Sequence, residues 1–266
     1  CSCIAEVKGG DLLYVFDSEG YCHKIDPETL PEGRWRDGGT ALKSAIPAAG
    51  PDAKIVYMKG IGENMPQGRL LFYTRSGMVK KNDWSEMDVA KSSFQAVKLK
   101  DGDSVIGIEE EKTGSTLLIV TRDGICLNAD MSDIPTQGRI AAGVRSIQLS
   151  EGDECIAAMQ VTDEGEVVLI SDKSNAKRVP VGQIEPMARY RKGSKIFDLK
   201  PSSGKRLIFA SYVTVPYTII LDVDDEYLSQ FDTEDIVIQN RTTSGKALVR
   251  GCLGLEKVYI YKTQAD

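Results

Sequence analysis

The stretch Leu117–Leu149, LLIVTRDGICLNADMSDIPTQGRIAAGVRSIQL, decides the fold of this chain. It opens with an apolar run that is typical of a strand buried on both faces. It then turns at Asp123-Gly124, and Asp-Gly between apolar runs is a strong signal for a β-hairpin. A second extended run, a loop and a closing strand over residues 144–149 complete the unit.

The same hairpin recurs about every 50 residues, which indicates a repeat architecture. The predicted turns fall at Gly20, Gly77, Gly124, near Ser174 and near Asp225. After each hairpin we predict an apolar strand in the loop, over 41–46, 94–99, 144–149, 194–199 and 247–253. Alternating strands are then predicted over 54–58, 104–108, 154–159 and 206–210. Five copies of about four strands predict one all-β, propeller-like domain over 1–266, with repeat units of approximately 1–50, 51–102, 103–152, 153–203 and 204–266.

Composition indicates an ordinary globular chain, with 41% hydrophobic and 27% charged residues among 266. No apolar stretch approaches the length of a membrane helix, and we find no signal peptide. Because the chain begins at Cys1, already inside a strand-like run, we interpret it as a fragment of a longer protein.

The six cysteines form no CxxC pair. We therefore expect no metal site and predict buried, reduced thiols.

Motifs for catalysis are weak. Only His23 could serve a Ser-His-Asp or Cys-His site, and no nucleophile motif surrounds it. Gly60-Ile61-Gly62 does not extend to a GxGxxG pattern, and 203–206 (SGKR) lacks parts of a phosphate loop. We therefore expect no catalytic residue and no cofactor in this segment.

Charge is unevenly distributed, although the net charge is −6. Residues 69–100 carry seven bases against three acids, and 173–206 carry ten bases against two acids. Residues 222–240 carry seven acids and no base. A polyanion could follow the basic sectors. The alternative is a propeller that serves as a protein-interaction scaffold, with the charges on solvated faces.

The positions of the bases favour phosphate contacts, because equivalent positions in a repeat share one face. Lys80-Lys81 and Lys177-Arg178 occupy matching places, three to four residues after their turns. We expect replacement of these four by Glu to abolish binding of the polyanion and leave the fold intact. The full set of expected contacts is Arg75, Lys80, Lys81, Lys91, Arg122, Arg139, Arg145, Lys173, Lys177, Arg178, Arg189, Arg191 and Lys192.

The units LLFYTRSGMVKKND (70–83), LLIVTRDGICLNAD with TQGRIAAGVRSIQL (117–149), and VVLISDKSNAKRVPV (167–181) resemble a known family. They look like blades of the C-terminal domain of bacterial type IIA topoisomerase A subunits, gyrase A and topoisomerase IV A. The resemblance covers nearly the whole chain and is weakest in the fifth unit. It implies a β-pinwheel of about five, or else six, four-stranded blades, in which a strand from each blade completes its neighbour.

The same resemblance implies a non-catalytic domain that binds and bends double-stranded DNA around a basic outer rim. It implies as partners the ATPase-bearing B subunit of the enzyme and the remainder of the A subunit. The location implied is the cytoplasm, at the nucleoid, without a membrane.

The segment Ile25–Gly39 is more similar to the first blade of topoisomerase IV A than to that of gyrase A, and no QRRGG(K/R)G box of gyrase is present. Topoisomerase IV A is therefore favoured. Ala188-Arg189-Tyr190 resembles the sequence around the family's DNA-cleaving tyrosine, but we interpret Tyr190 as a loop residue beside phosphate-binding arginines.

Overall fold

A computed structural model describes residues 3–34, 36–223 and 227–261. Strands dominate these ranges. In chain order they are β1 (Leu12–Asp17), β2 (Tyr21–Ile25), β3 (Ile55–Ile61), β4 (Arg69–Thr74), β5 (Met78–Asp83), β6 (Ser93–Gln95), β7 (Val105–Glu110), β8 (Thr116–Thr121), β9 (Ile125–Asp130), β10 (Val144–Arg145), β11 (Cys155–Val161), β12 (Glu166–Ser171), β13 (Asn175–Pro180), β14 (Ser194–Lys195), β15 (Leu207–Val213), β16 (Thr218–Val223), β17 (Tyr227–Asp232), β18 (Lys246–Ala247) and β19 (Leu255–Tyr261). One α-helical turn, α1, spans Leu42–Ala45, and short 3-10 turns follow the hairpins.

The described strands pair into five sheets, numbered here 1 to 5. Their strand orders are β3-β1-β2-β6, β10-β5-β4-β7, β11-β8-β9-β14, β15-β12-β13-β18 and β17-β16-β19. In sheets 1 to 4 one edge strand (β6, β10, β14 or β18) comes from the loop that follows the next hairpin in the chain. Each repeat therefore completes the sheet of the repeat before it. The predictions of an all-β fold, of five repeats and of exchanged strands are confirmed.

The backbone divides into two compact units. Unit 1 comprises Cys1–Thr74, Met78–Glu111 and Ile134–Val144, and unit 2 comprises Arg75–Gly77, Lys112–Asp133 and Arg145–Asp266. Sheet 1 and strands β4, β5 and β7 of sheet 2 belong to unit 1. Sheets 3, 4 and 5 belong to unit 2.

The hairpin turns lie where the sequence predicts them, because each needs a residue with positive φ. This angle is 85° at Gly20, 76° at Gly77 and 78° at Gly124. In the fourth turn Ser174 adopts 57°, a region that side chains other than glycine rarely occupy. The fifth predicted turn, near Asp225, lies outside the described residues.

The predicted strand over 41–46 is wrong, since this segment forms α1. Short apolar runs do not distinguish a buried helical turn from a strand by periodicity alone. Here Leu42 and Ile46 pack against Leu13 and Val15 of sheet 1, so one apolar face is buried and the segment needs no strand partner. The other loop strands exist but are shorter than predicted: β6, β10, β14 and β18 have two or three residues each.

The cores lie between neighbouring sheets. In unit 2, Leu118 of sheet 3 packs with Val167 of sheet 4. Val168, on the opposite face of sheet 4, packs with Ile219 and Leu221 of sheet 5. Because successive residues of a strand point to opposite faces, Val167 and Val168 serve two different cores. The unbroken apolar runs in the sequence therefore reflect sheets that are covered on both faces.

The predicted buried thiols are present at Cys22, Cys126, Cys155 and Cys252, which form no disulfide with one another. Cys3 is only half-buried, and Cys1 lies outside the described residues. No helix in the described ranges is long and apolar enough to cross a membrane. Nor do those ranges contain a group of three or more side chains placed to hold a metal ion.

We expect Gly193→Ala to destabilise unit 2 strongly and Gly152→Ala to do so mildly. Both glycines have nearly the same φ, 75° and 77°. A Cβ at Gly193 would collide with the carbonyl oxygen of Cys126 in β9, whereas a Cβ at Gly152 meets no atom within 4 Å. Gly152→Ala should cost only the left-handed backbone penalty of about 1–2 kcal/mol. Urea denaturation measures both free energies of unfolding, and equal losses would contradict the close approach at Gly193.

Candidate nucleic-acid interface

Lys177, in β13 of sheet 4, is fully buried at 0% exposure. Its Nζ donates to three carbonyl oxygens, at 2.7 Å from that of Asn240 and 2.9 Å from those of Arg241 and Thr243. The ammonium also lies 5.1 Å from the ring centroid of Phe197. These acceptors replace the water that a buried ammonium loses. Lys177 therefore ties the loop of the fifth repeat to the hairpin of the fourth.

Lys80, at the matching position of β5, is buried in the same way at 1% exposure. Its Nζ donates to the carbonyl oxygen of Ala96 at 2.6 Å and to that of Arg139. It lies 5.1 Å from the ring centroid of Phe72. In unit 1, too, a hairpin lysine ties down the loop of the following repeat.

The neighbouring bases are also held by the protein. Lys81 is buried, with its Nζ 3.0 Å from Oε1 of Glu111. Arg178 is half-buried, and its Nη1 donates to Oε2 of Glu166 at 2.7 Å. Its Nε donates to the carbonyl oxygen of Ile236, also at 2.7 Å.

The expectation that Lys80, Lys81, Lys177 and Arg178 form a phosphate-binding stripe is therefore corrected. Three of these side chains are buried, and all four hold acceptors of the protein itself. Replacing them with Glu would bury uncompensated carboxylates and disrupt the fold. The prediction that these positions match one another in the repeat is right. Their role is structural, because Lys80 and Lys177 each bind a loop of the following repeat.

Burial also changes the protonation of the two interior lysines. It lowers the pKa of Lys80 to about 7, with Glu86 opposing and Arg139 adding to the shift. It lowers the pKa of Lys177 to about 8, with Asp198 opposing. Near neutral pH both ammonium groups are thus close to losing a proton, which would leave an amine with two N–H donors instead of three.

Three half-buried arginines occupy matching positions in the loops of the third, fourth and fifth repeats: Arg139, Arg189 and Arg241. Arg139 Nη1 donates to the carbonyl oxygen of Gln95 at 2.6 Å, and Arg189 Nε donates to that of Asp133 at 3.0 Å. Arg241 Nη1 donates to Oγ of Ser194 at 2.7 Å. Each arginine therefore holds its loop against the repeat before it. Arg241 was missed because it lies in the weakest copy, although its distance from the loop glycine matches the other two.

Several other candidate bases are held by local contacts. Arg122 lies 3.6 Å from a carboxylate oxygen of Glu154 and 3.7 Å from one of Asp123. Lys173 Nζ donates to the carbonyl oxygen of Pro201 at 2.6 Å. These contacts hold Arg122 at the segment just before β11 and Lys173 at the segment before β15.

Lys195 and Lys200 share one carboxylate and were not among the predicted contacts. Their Nζ atoms lie 2.9 and 2.8 Å from the oxygens of Asp198. Hydrogen bonds from Lys200 and Lys195 lower the pKa of Asp198 to about 2. One of the two positive charges is therefore balanced at neutral pH.

The exposed candidates gather in unit 2 around a strained tyrosine. Tyr190 has a φ of 61° and its backbone N–H donates to the carbonyl oxygen of Ser146 at 2.7 Å. Arg145 Nη1 donates to the Tyr190 hydroxyl at 2.6 Å, and its guanidinium lies 5.3 Å from the ring centroid. Arg191 and Lys192 follow directly and are exposed. We call Arg145, Tyr190, Arg191 and Lys192 the Tyr190 cluster.

The Tyr190 cluster carries unbalanced positive charge. Within the described part of the chain, Arg145, Arg191 and Lys192 form no ion pair. The backbone beneath them is fixed, because the N–H of Gln148 donates to the carbonyl oxygen of Arg191 at 2.9 Å. A left-handed backbone at a non-glycine residue costs free energy and is often found at functional sites. The cluster can therefore present three cations to a polyanion from a rigid base.

Two predicted bases lie elsewhere. Arg75 is exposed in the second hairpin turn, whose Gly77 carbonyl accepts the N–H of Ser146 at 2.8 Å. The turn thus borders the segment that follows Arg145. Lys91 is exposed in unit 1. Its side chain makes no hydrogen bond to the described residues.

Comparison with known proteins finds similarity to the A subunits of DNA gyrase and DNA topoisomerase 4. The family model described as "DNA gyrase C-terminal domain, beta-propeller" matches residues 115–162 and 165–205. The A subunit of DNA topoisomerase 4 from Staphylococcus epidermidis is 20% identical over 90% of this chain and 30% of its own length. The A subunit of DNA gyrase from Deinococcus deserti is 27% identical over 75% of this chain and 25% of its own.

The fold agrees with a solved structure. The crystal structure of the C-terminal domain of DNA topoisomerase IV superimposes with a TM-score of 0.86 at 24% identity, covering 94% of this chain and 79% of that one. The chain is similar in sequence to the A subunits of gyrase and topoisomerase IV, and its fold is similar to that of the C-terminal domains of these subunits. It spans about a quarter to a third of the curated relatives' length. Both kinds of enzyme are represented among them, so the preference for topoisomerase IV A stays a prediction.

We expect the free energy of unfolding to rise with pH between about 7 and 8.5, through Lys80 and Lys177. Their folded pKa values, about 7 and about 8, lie below the ordinary 10.5, so the unfolded state binds more protons in this window. Each group can contribute at most about 1.4 kcal/mol per pH unit. Above pH 9 the rise should become shallower, because burial raises the pKa of the Cys126 thiol to about 11 and the unfolded thiol ionises first. It should end near pH 10.5, where the unfolded lysines also lose their protons.

Urea denaturation across this pH range tests the assignment with Lys177→Met as the matched variant. The variant should be less stable at every pH, because the carbonyls of Asn240, Arg241 and Thr243 lose their donor. Its stability should also rise less steeply with pH. An unchanged slope would contradict a titrating lysine at this position.

Proposed function

We propose that this chain binds duplex DNA without sequence preference, chiefly through the Tyr190 cluster. The observation that carries the proposal is the exposure of Arg145, Arg191 and Lys192, which have no acidic partner among the residues that the structure describes. They lie at a loop whose backbone is held by hydrogen bonds. Guanidinium groups donate to phosphate oxygens in a fixed fork, and lysine adds a mobile point charge. Contacts of this type position DNA and carry little sequence information.

Tyr190 prepares Arg145 for such a contact. The hydrogen bond of 2.6 Å and the ring beneath the guanidinium restrict the Arg145 side chain before any ligand binds. A restricted side chain loses less conformational entropy on binding. The Arg189 guanidinium donates to the carbonyl oxygens of Asp133 and Arg145. These hydrogen bonds hold the backbone of Arg145 against the loop that carries Tyr190.

The distribution of charge favours a partial DNA path. In unit 2 the residues after β17 expose Glu234 and Asp235, and β17 itself ends with the exposed Asp232. Carboxylates repel the phosphates of a duplex. We propose that the fifth sheet lies off the path and that the duplex is bent without being wrapped completely.

The relatives suggest the larger setting of this proposal. They are named as A subunits of DNA topoisomerase 4 and DNA gyrase, and they are about three times as long as this chain. We propose that the present chain is a non-catalytic part of such an A subunit, where it presents DNA to a cleavage core elsewhere. The B subunit that carries the ATPase would be a further partner, in the cytoplasm at the nucleoid.

Binding to a labelled duplex of about 40 base pairs, titrated across salt, tests DNA binding. We expect micromolar or tighter affinity and a steep negative dependence of log K on log salt concentration, because each phosphate contact contributes a slope of about −0.9. Weak binding at low salt, with no slope, would overturn the proposal and favour a protein-interaction scaffold. Ligation of relaxed circles in the presence of the protein then distinguishes chiral wrapping from bending.

The double variant Arg191→Glu, Lys192→Glu tests the Tyr190 cluster itself. We expect a loss of affinity and a slope smaller by about 1.8, because two phosphate contacts disappear. The control Lys112→Glu, Lys257→Glu makes the same change in net charge at two positions on other segments of unit 2. Equal loss in both variants would show that net charge, and not the cluster, governs binding.

A further inference from the structure

Sheet 1 carries a buried histidine, His23, where sheets 2 and 4 carry Lys80 and Lys177. The three residues stand at the same register position of their hairpins. The His23 ring lies between a carboxylate and a hydroxyl, with Nε2 3.0 Å from Oδ2 of Asp17 and Nδ1 3.0 Å from Oγ of Ser93. Ser93 is 70 positions away in the sequence and is brought to His23 by β6, so no motif around His23 could reveal it.

Two further positions of sheet 1 differ from the other repeats together with His23. Asp17 accepts the backbone N–H four positions later, and at its place sheets 2, 3 and 4 carry a hydroxyl that does the same: Thr74, Thr121 and Ser171. Ser93 stands opposite His23, and at its place those sheets carry a glycine: Gly143, Gly193 and Gly245. Among these four sheets, only sheet 1 combines a carboxylate, an imidazole and a hydroxyl. Holding the supplied strand does not require this combination, because sheets 2 to 4 hold theirs without it.

The hydrogen bonds set the tautomer of the imidazole. Asp17 Oδ1 accepts the N–H groups of Glu19 at 3.0 Å and Tyr21 at 2.9 Å. An ionised carboxylate only accepts hydrogen bonds, so Nε2 of His23 donates to Oδ2 of Asp17. In neutral imidazole the other nitrogen is then an acceptor, and the Ser93 hydroxyl donates to Nδ1. The hydroxyl is therefore bonded to a base that can take its proton.

Ser93 also borders open space. Asp17 and His23 are 2% and 1% exposed, whereas Ser93 is half-buried. Ser93 and His23 line a cavity of about 380 Å³, whose far wall includes Ile46 and Pro47. The carboxylate and the imidazole are thus shielded from water while a small molecule can reach the hydroxyl. The apolar wall suits a short alkyl chain.

The backbone N–H of Ser93 points away from β2. The N–H of Lys24 donates to the carbonyl oxygen of Ser92 at 2.7 Å, so these two residues form a hydrogen-bonded pair of the ladder. His23 and Ser93 form the next pair, which is of the non-hydrogen-bonded kind. In such a pair the side chains approach each other and the N–H groups point outward. A carbonyl carbon bound to Ser93 Oγ can place its oxygen beside this N–H, which stabilises developing negative charge.

We propose that Ser93 is an acylation site, a nucleophile that takes the acyl group of a short-chain activated carboxylic ester or thioester. Oγ attacks the carbonyl carbon, and its proton passes to Nδ1 of His23. The bond from the carbonyl carbon to the leaving oxygen or sulfur breaks, and the leaving group takes the proton from His23. The products are an ester on Ser93 and a free alcohol or thiol. Asp17 positions the imidazole throughout.

The reaction is a stoichiometric modification, so it does not make the chain an enzyme. It lies in unit 1 and uses none of the residues of the Tyr190 cluster. The proposal therefore does not depend on DNA binding.

Reaction of the whole 266-residue chain with p-nitrophenyl acetate, without DNA, tests the proposal. We expect a stoichiometric fast phase of p-nitrophenolate release and an acetyl group on Ser93, located by tandem mass spectrometry. Ser93→Ala should abolish the fast phase. The matched control Ser92→Ala removes the neighbouring hydroxyl of the same cavity and should retain it. Absence of the fast phase from the unmodified chain, its survival in Ser93→Ala, or acetyl groups on lysines alone would overturn the proposal.

The variant His23→Gln tests the base. Glutamine keeps a polar side chain but cannot take the Ser93 proton, so acetylation should slow at least about hundredfold. Circular dichroism checks that the variant is folded, and a folded variant that reacts at an unchanged rate would contradict the role of His23. Ser93→Ala removes only a half-buried hydroxyl and should fold, so it decides the proposal even where His23→Gln does not fold. A loss of stability in Ser93→Ala, without acetylation of the unmodified chain, would show that the three groups serve only to hold β6.

Discussion

The structure depends on the strand that each repeat supplies to the sheet before it. A hairpin joined to one further strand leaves an edge with unsatisfied N–H and C=O groups, and the supplied strand closes it. The supplied strands have only two or three residues, so backbone pairing alone would hold them weakly. Lys80 and Lys177 strengthen the connection, since each ammonium donates to carbonyl oxygens of the following loop.

The same constraint places the candidate DNA contacts. The loop between β13 and β14 must reach back across the repeat boundary, and Arg189 is directed inward to hold it there. Two residues later the backbone is anchored by Gln148, so Arg191 and Lys192 project from a fixed base. Inward and outward bases therefore alternate within a few residues of one loop. A test of DNA binding must separate them, because changing an inward base disturbs the fold and changing an outward base does not.

The repeat, the hairpins and the all-β fold were predictable because they depend on local signals. Turn glycines with positive φ and apolar runs recur at a nearly constant interval, and the structure confirms four hairpins with their turns. The burial of Lys80 and Lys177 was not predictable from the charge distribution. A count of basic residues does not show whether a side chain points into the protein or towards solvent. A weak signal existed, because Lys177 and Arg178 lie between the apolar residues Ala176 and Val179 and because the hairpin partner of this strand, β12, is an apolar run. The α1 cap was missed because the short run over 41–46, apolar or small except for Lys43, fits a strand as well as a helical turn.

The exchange of strands also makes sheets 1 and 5 differ within the described residues. Each repeat after the first supplies a strand to the sheet before it, and β17 of sheet 5 receives none from the described residues. At the first sheet the free face is closed by Leu42 and Ile46. At the fifth sheet Leu228 is 65% exposed, and the carboxylates that follow it in the chain, of Asp232, Glu234 and Asp235, are exposed as well. Because carboxylates repel phosphates, this acidity is consistent with the proposal that the fifth sheet lies off the DNA path and that the basic loops of the third and fourth repeats carry the contacts.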